Sequence, residues 1–72
     1  MRVIHAEHLL CPMPVIRLQE VAKQVLPGTQ ILMHCTDPGV KHDIPAWCRV
    51  HRHRVLSLEE NHEGIHITLE LC

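Results

Sequence analysis

PMPVIRLQEVAKQVLPGTQILMHC, residues 12–35, changes its hydrophobic period part-way along, and that change decides the fold. From Pro12 to Leu26 the apolar residues Val15, Leu18, Val21, Ala22, Val25 and Leu26 recur at three- and four-residue spacing. Arg17, Gln19, Glu20, Lys23 and Gln24 take the opposite side, so the spacing predicts an amphipathic helix. Pro27-Gly28 is a helix stop, since proline cannot continue a helix and glycine accepts the left-handed turn that follows one. Thr29 to Cys35 then reads as a buried strand centred on Ile31-Leu32-Met33. Working outward, Arg2 to His5 is a short β-prone segment ahead of the helix. A strand, a helix and a strand in this order predict a parallel pair joined by a right-handed crossover.

Downstream, Val40, Ile44, Trp47, Cys48 and His51 mark a second helix between Asp37 and His51. Pro38 suits a first turn after an Asp37 cap, whereas Pro45 kinks a helix interior. The expectation is an initial turn over Pro38 to His42 and a main helix restarting with Asp43 as N-cap. His53 to Glu59 is a third strand, and Asn61 to Gly64 a turn. In the last strand Ile65, Ile67, Leu69 and Leu71 alternate with His66, Thr68 and Glu70, which means one packed face and one wet face. The result is an α+β fold of order βαβαββ, a two-layer sandwich with two helices on one face of a four-stranded mixed sheet. The order of strands within the sheet is not fixed by these patterns.

The 72 residues make one domain, 1–72. A chain this short buries only about 60% of the surface that its unfolded form exposes. With Trp47 as the one aromatic residue, the core must be aliphatic and too small to enclose a large cofactor, so none is expected. Met1-Arg2-Val3-Ile4-His5 lacks the apolar run of a signal peptide, and no stretch approaches the roughly 18 apolar residues of a membrane span. Four cysteines without a secretion signal fit free thiols in a reducing, cytoplasmic setting better than a disulfide scaffold. The formal charge of -1 excludes a globally basic nucleic-acid binder. Arg49, Arg52 and Arg54 nevertheless gather with His51 and His53. This cluster reads either as a solvated helix end or as a docking patch for an acidic partner or RNA. With no aromatic platform for base stacking, no direct sequence-specific nucleic-acid binding is expected.

Cys11-Pro12-Met13-Pro14 carries the chemistry. Pro12 suits the first helical position, where its missing N–H removes no bond, and this makes Cys11 the N-cap. Pro14 still falls in the first turn, which leaves the amides of Met13 and Val15 as nearby free donors. A thiolate or persulfide anion there would meet those amides and the positive end of the helix dipole. In sequence no carboxylate opposes it until Glu7. A pre-formed thiolate attacks a sulfane sulfur directly, so no dedicated general base is expected. The bland alternative is a buried small hydrophobe that happens to precede a helix.

Leu10-Cys11-Pro12-Met13-Pro14-Val15 resembles the CPxP motif of the TusA (SirA-like) family of sulfur carriers. Thr36-Asp37-Pro38 is similar to the family's acidic turn after the second strand, with Thr in place of one acid. Asp43-Ile44-Pro45-Ala46-Trp47-Cys48 resembles its Asp-Ile-Pro-small-aromatic-Cys segment. Where members commonly carry Gly shortly before the motif cysteine, this chain has His8-Leu9-Leu10. The resemblance covers nearly the whole chain. It implies the fold of the C-terminal domain of translation initiation factor 3, and a persulfide carried on Cys11. It further implies protein donors such as cysteine desulfurases or rhodaneses, and acceptors such as DsrE-type proteins. The relay would serve tRNA thiolation, molybdenum-cofactor maturation or sulfur oxidation.

Other residues carry weaker signals. Met13 and Ile16 lie off the apolar stripe of the first helix; at about 100° per residue Ile16 is opposite Leu18, which suggests a small docking surface beside the cysteine. Asp37 and Asp43 read first as helix caps, and Asp37 also as a residue beside the sulfur site. Cys35 and Cys48 read as core residues and Cys72 as a terminal, mobile one. Cys48, His51 and His53, with His34 and Cys35, support a rival reading as a Cys/His metal-handling module, although no metal site is expected. A monomer is expected.

Overall fold

β-Branched and leucine side chains at every second position drive the sheet, and glycines and prolines place its corners. In the computed structural model, which describes all 72 residues, the elements run β1 (Arg2–Ala6), α1 (Met13–Ala22), β2 (Gln30–Cys35), α2 (Val40–Val50), β3 (Arg54–Asn61) and β4 (Gly64–Glu70). The expected α+β sandwich is therefore present. The sheet order is β1-β2-β4-β3, with β1 parallel to β2 and β4 antiparallel to both β2 and β3. The last strand lies inside the sheet because its apolar face needs a neighbour on each side. β3 is exposed along nearly its whole length and takes the edge.

Register puts the apolar positions in rows. Ile4 pairs Met33, which pairs Ile67; Ala6 pairs Cys35, which pairs Ile65; Ile31 pairs Leu69. All are buried beneath Pro14 and Leu18 of α1 and Val40, Ile44 and Cys48 of α2. Burying each Leu- or Ile-sized side chain contributes about 1.5–3 kcal/mol. The opposite face carries Val3 and Leu32 but is otherwise largely polar, and one row crosses all four strands as His5, His34, His66 and Glu59. In that row His5 stacks on His34 at 5.3 Å, and His34 meets His66 edge-on at 4.7 Å.

Both helices differ from the sequence expectation. α1 stops at Ala22 rather than Leu26, and Gln24 donates to the Val21 carbonyl at 2.9 Å in a tight closing turn. The chain between α1 and β2 is instead tied to the end of β4, Gly28 N–H donating to Leu71 O at 2.7 Å and Leu71 N–H to Thr29 O at 3.0 Å. Gly28 adopts φ 89, open to glycine without strain, and Leu26 is left 78% exposed.

α2 neither breaks nor restarts at Asp43. Gly39 is its N-cap, and Asp43 donates its backbone N–H to Gly39 O at 2.9 Å within the first turn. The expected separate turn at Pro38 to His42 is the start of the same helix. Pro45 is tolerated because it forfeits one bond, to the Lys41 carbonyl, near that start. At the far end His53 N–H donates to Cys48 O at 2.7 Å and Arg52 N–H to Arg49 O at 3.3 Å, with Arg52 in left-handed backbone at φ 64. This is a Schellman closure with arginine where glycine is usual. Trp47, half-buried on α2, packs against His51 at 4.8 Å and His53 at 5.0 Å.

Candidate functional site

The corner before α1 is held by the loop before α2. Because β1 and β2 are parallel, both chains leave the sheet at the same end, and the two helices begin side by side. His8 N–H donates to Thr36 Oγ1 at 2.8 Å, and Cys11 N–H to Asp37 Oδ2 at 3.1 Å. The Cys11 thiol donates to Asp43 Oδ2 at 2.9 Å. A Cβ on Gly39 would sit 3.2 Å from Asp37 Oδ2 and 3.7 Å from Asp43 Oδ2, so glycine leaves room for both carboxylates. Neither aspartate has a cationic partner within the chain.

This geometry corrects the sequence reading of the corner. Cys11 is not the N-cap: Pro12 is, its carbonyl accepting the Ile16 N–H at 3.1 Å, and Pro14 rather than Pro12 lies inside the helix start, where it is buried. The Cys11–Pro12 peptide is cis. The Met13 amide is not free, since it donates to Leu10 O at 2.8 Å; Val15 keeps an unpartnered amide as a first-turn residue. Asp37 and Asp43 do not cap α2 through their side chains, because those carboxylates face Cys11 instead.

The electrostatics reverse accordingly. The hydrogen bond to Asp43, then desolvation, then the negative charges of Asp43 and Asp37 hold the Cys11 thiol above the ordinary cysteine value. At neutral pH Cys11 is a thiol, not the pre-formed thiolate that its sequence position suggests. Asp43 is the residue that sequence reasoning misplaced. It lies 32 positions from Cys11, so spacing could not reveal it; the parallel β1–β2 pair, which sets both helix starts together, was the available signal.

Close to Cys11 in the chain, Leu10, Met13 and Ile16 are 72%, 44% and 39% exposed, and of these apolar residues Leu10 was not anticipated. Arg49, Arg52 and Arg54 are not brought to the thiol. From Asp43 to Arg49 is about 9 Å along the axis at about 1.5 Å per residue, Arg52 follows the end of α2, and Arg54 lies 3.8 Å from Glu70. Cys35 and Cys48 are buried, and burial pushes each thiol up to about 11. With the Cys48 sulfur in the core and the His51 and His53 rings against Trp47, the trio behind the metal-handling reading does not converge. Cys72 is exposed, its N–H donating to His53 Nδ1 at 3.1 Å.

The family profile described as Sulfurtransferase TusA matches residues 2–71. The chain belongs to the TusA family. Among TusA relatives, YrkI of Bacillus subtilis (strain 168) is 35% identical over 63 residues, spanning 88% of this chain and 81% of its own. The sulfur carrier protein TusA of Pseudomonas putida (strain GB-1) is 32% identical over 59 residues, 82% of this chain and 74% of that one. The crystal structure of a SirA-like protein from Desulfitobacterium hafniense superposes with a TM-score of 0.82 at 18% identity, over 100% of this chain and 97% of that one, and shares the fold. No helix is long and apolar enough to cross a membrane.

Proposed function

We propose that this TusA-family chain is a sulfur carrier that accepts sulfane sulfur as a persulfide on Cys11 and hands it to a partner protein. The observation that carries this reading is an exposed thiol, with exposed apolar residues near it in the chain, on a corner held by hydrogen bonds to the loop before α2 and to α2 itself. Cys35 and Cys48 are sealed in the core, so only Cys11 and Cys72 can meet a macromolecular partner without unfolding. No enclosed pocket is present for a small substrate, which suits a reaction carried out at a protein–protein contact.

In that contact Leu10, Met13 and Ile16 would cover the sulfur, and the distant Arg49, Arg52 and Arg54 would steer an acidic partner by long-range charge. Donors of the cysteine desulfurase or rhodanese class and acceptors of the DsrE type fit this role. The destination, whether tRNA thiolation, molybdenum-cofactor maturation or sulfur oxidation, follows from whichever acceptor docks.

Intact mass spectrometry after exposure to a cysteine desulfurase with cysteine, or a rhodanese with thiosulfate, tests the assignment. One sulfur atom should add to the wild type, to Cys35→Ser and to Cys72→Ser, and none to Cys11→Ser. Loading that survives Cys11→Ser would sink it.

A further inference from the structure

We infer that Asp43 is a catalytic residue of sulfur transfer, taking the Cys11 proton when sulfur is loaded and returning it when sulfur leaves. The inference rests on Cys11 as the sulfur-carrying residue. Its basis is geometric: Asp43 Oδ2 is 2.9 Å from Sγ, within reach of the proton that must move, and it is the acceptor of the thiol hydrogen. The one side-chain hydrogen bond of Asp43 goes to this thiol, not to the backbone of the helix start, although its charge also lies in the first turn of α2. Asp37 takes a different part: its Oδ2 accepts the Cys11 backbone N–H, and the thiol donates to Asp43 rather than to it.

Loading then runs as follows. Cys11 Sγ attacks the outer sulfur of a donor persulfide R–S–SH. The new S–S bond forms to Cys11, the donor's S–S bond breaks, and R–S⁻ departs. The thiol proton passes to Asp43 Oδ2. In sum, Cys11–SH, Asp43–COO⁻ and R–S–SH give Cys11–S–SH, Asp43–COOH and R–S⁻, with no net oxidation and equal charge on both sides. Discharge reverses the roles: an acceptor thiolate attacks the outer sulfur, and Asp43–COOH protonates the Cys11 sulfur as it leaves. One carboxylate thus serves as base in one half-reaction and acid in the other, while the empty carrier rests as a poorly nucleophilic thiol.

Asp43→Asn separates this role from a structural one. The amide keeps the size and a hydrogen-bonding oxygen but cannot take a proton, and it removes a negative charge from beside the thiol. Alkylation of Cys11 by iodoacetamide at pH 7 should become several-fold faster, because the thiol ionises more readily. Loading from cysteine persulfide at the same pH should become about tenfold or more slower, general acid–base assistance being worth roughly 10²–10⁴. Raising the pH should restore loading in Asp43→Asn, where thiolate then forms without help, and wild-type loading should be flatter across neutral pH. Alkylation and loading that slow together would show that Asp43 only shapes the corner; loading at the wild-type rate would show that it takes no proton. If Asp43→Asn does not fold, the wild type decides: loading unaffected by D₂O would overturn a proton transfer in the rate-limiting step. Cys11→Ser loading under the same conditions tells failure of the carrier reading apart from failure of this one.

Discussion

Gly39 shows how closely the thiol corner is built. Its φ of -59 suits any residue, so glycine stands there for space alone. A methyl at that point, 3.2 Å from Asp37 Oδ2, would require the carboxylate to shift by a few tenths of an ångström and so strain its hydrogen bond from the Cys11 N–H. Gly39→Ala is expected to speed hydrogen exchange at the Cys11 amide while changing stability by less than about 1 kcal/mol, because the weakened hydrogen bond is offset by the lower backbone entropy of the unfolded chain. Chemical denaturation and exchange measured by NMR check both; unchanged exchange would mean that Asp37 follows the methyl without releasing Cys11. The exposure of Cys11 agrees with the sequence reading of a surface thiol rather than a buried small hydrophobe. Its ionisation was not legible there. Dipole and amides are properties of the local chain, whereas the two aspartates reach Cys11 only through tertiary contact.

Elements were read well where their pattern was long and regular, and poorly where a loop could compete. Alternation from Ile65 to Leu71 gave β4 and its two faces, and the switch of period between Leu18 and Ile31 gave the βαβ start. The end of α1 was misjudged because Val25 and Leu26 continue the helical spacing, yet the backbone there is claimed by Leu71. α2 was divided at Asp43 because Pro45 and an acidic residue together imitate a helix start. Local propensity lost to the continuous apolar stripe Val40, Ile44 and Cys48, which packs only if the helix is unbroken. The position of β4 between β2 and β3 was not legible, since strand order is set by which faces meet after the chain has folded.

Across the whole molecule, the apolar residues Leu10, Met13 and Ile16 belong to the start of α1 and the basic cluster to the far end of α2, so their contributions to docking should be separable. With a matched acceptor, Ile16→Ala should slow transfer by weakening the docked complex while leaving Cys11 alkylation unchanged. Arg49→Glu should lower the association rate at low salt, with a defect that shrinks as salt rises, because exposed charges are screened over about 8–10 Å near physiological ionic strength. Equal loss of alkylation and transfer in Ile16→Ala would make that residue a support of the corner; full-rate transfer by Arg49→Glu at low salt would leave the arginines as a solvated helix end. The aromatic contact at that same basic end makes the protein its own optical probe. Trp47 is the only tryptophan, and its indole lies against two imidazoles. Protonated imidazole quenches indole emission by accepting an electron from the excited ring, whereas neutral imidazole does so weakly. Burial and the neighbouring His51 hold His53 below the ordinary histidine value, so the dimming that His53 contributes should come at more acid pH than that value. His53→Ala should remove that acid step, and a step that survives in His53→Ala would contradict it. A partner seated over Arg49 and Arg52 would shift the step, so docking at the basic end could be followed by fluorescence without attaching a label.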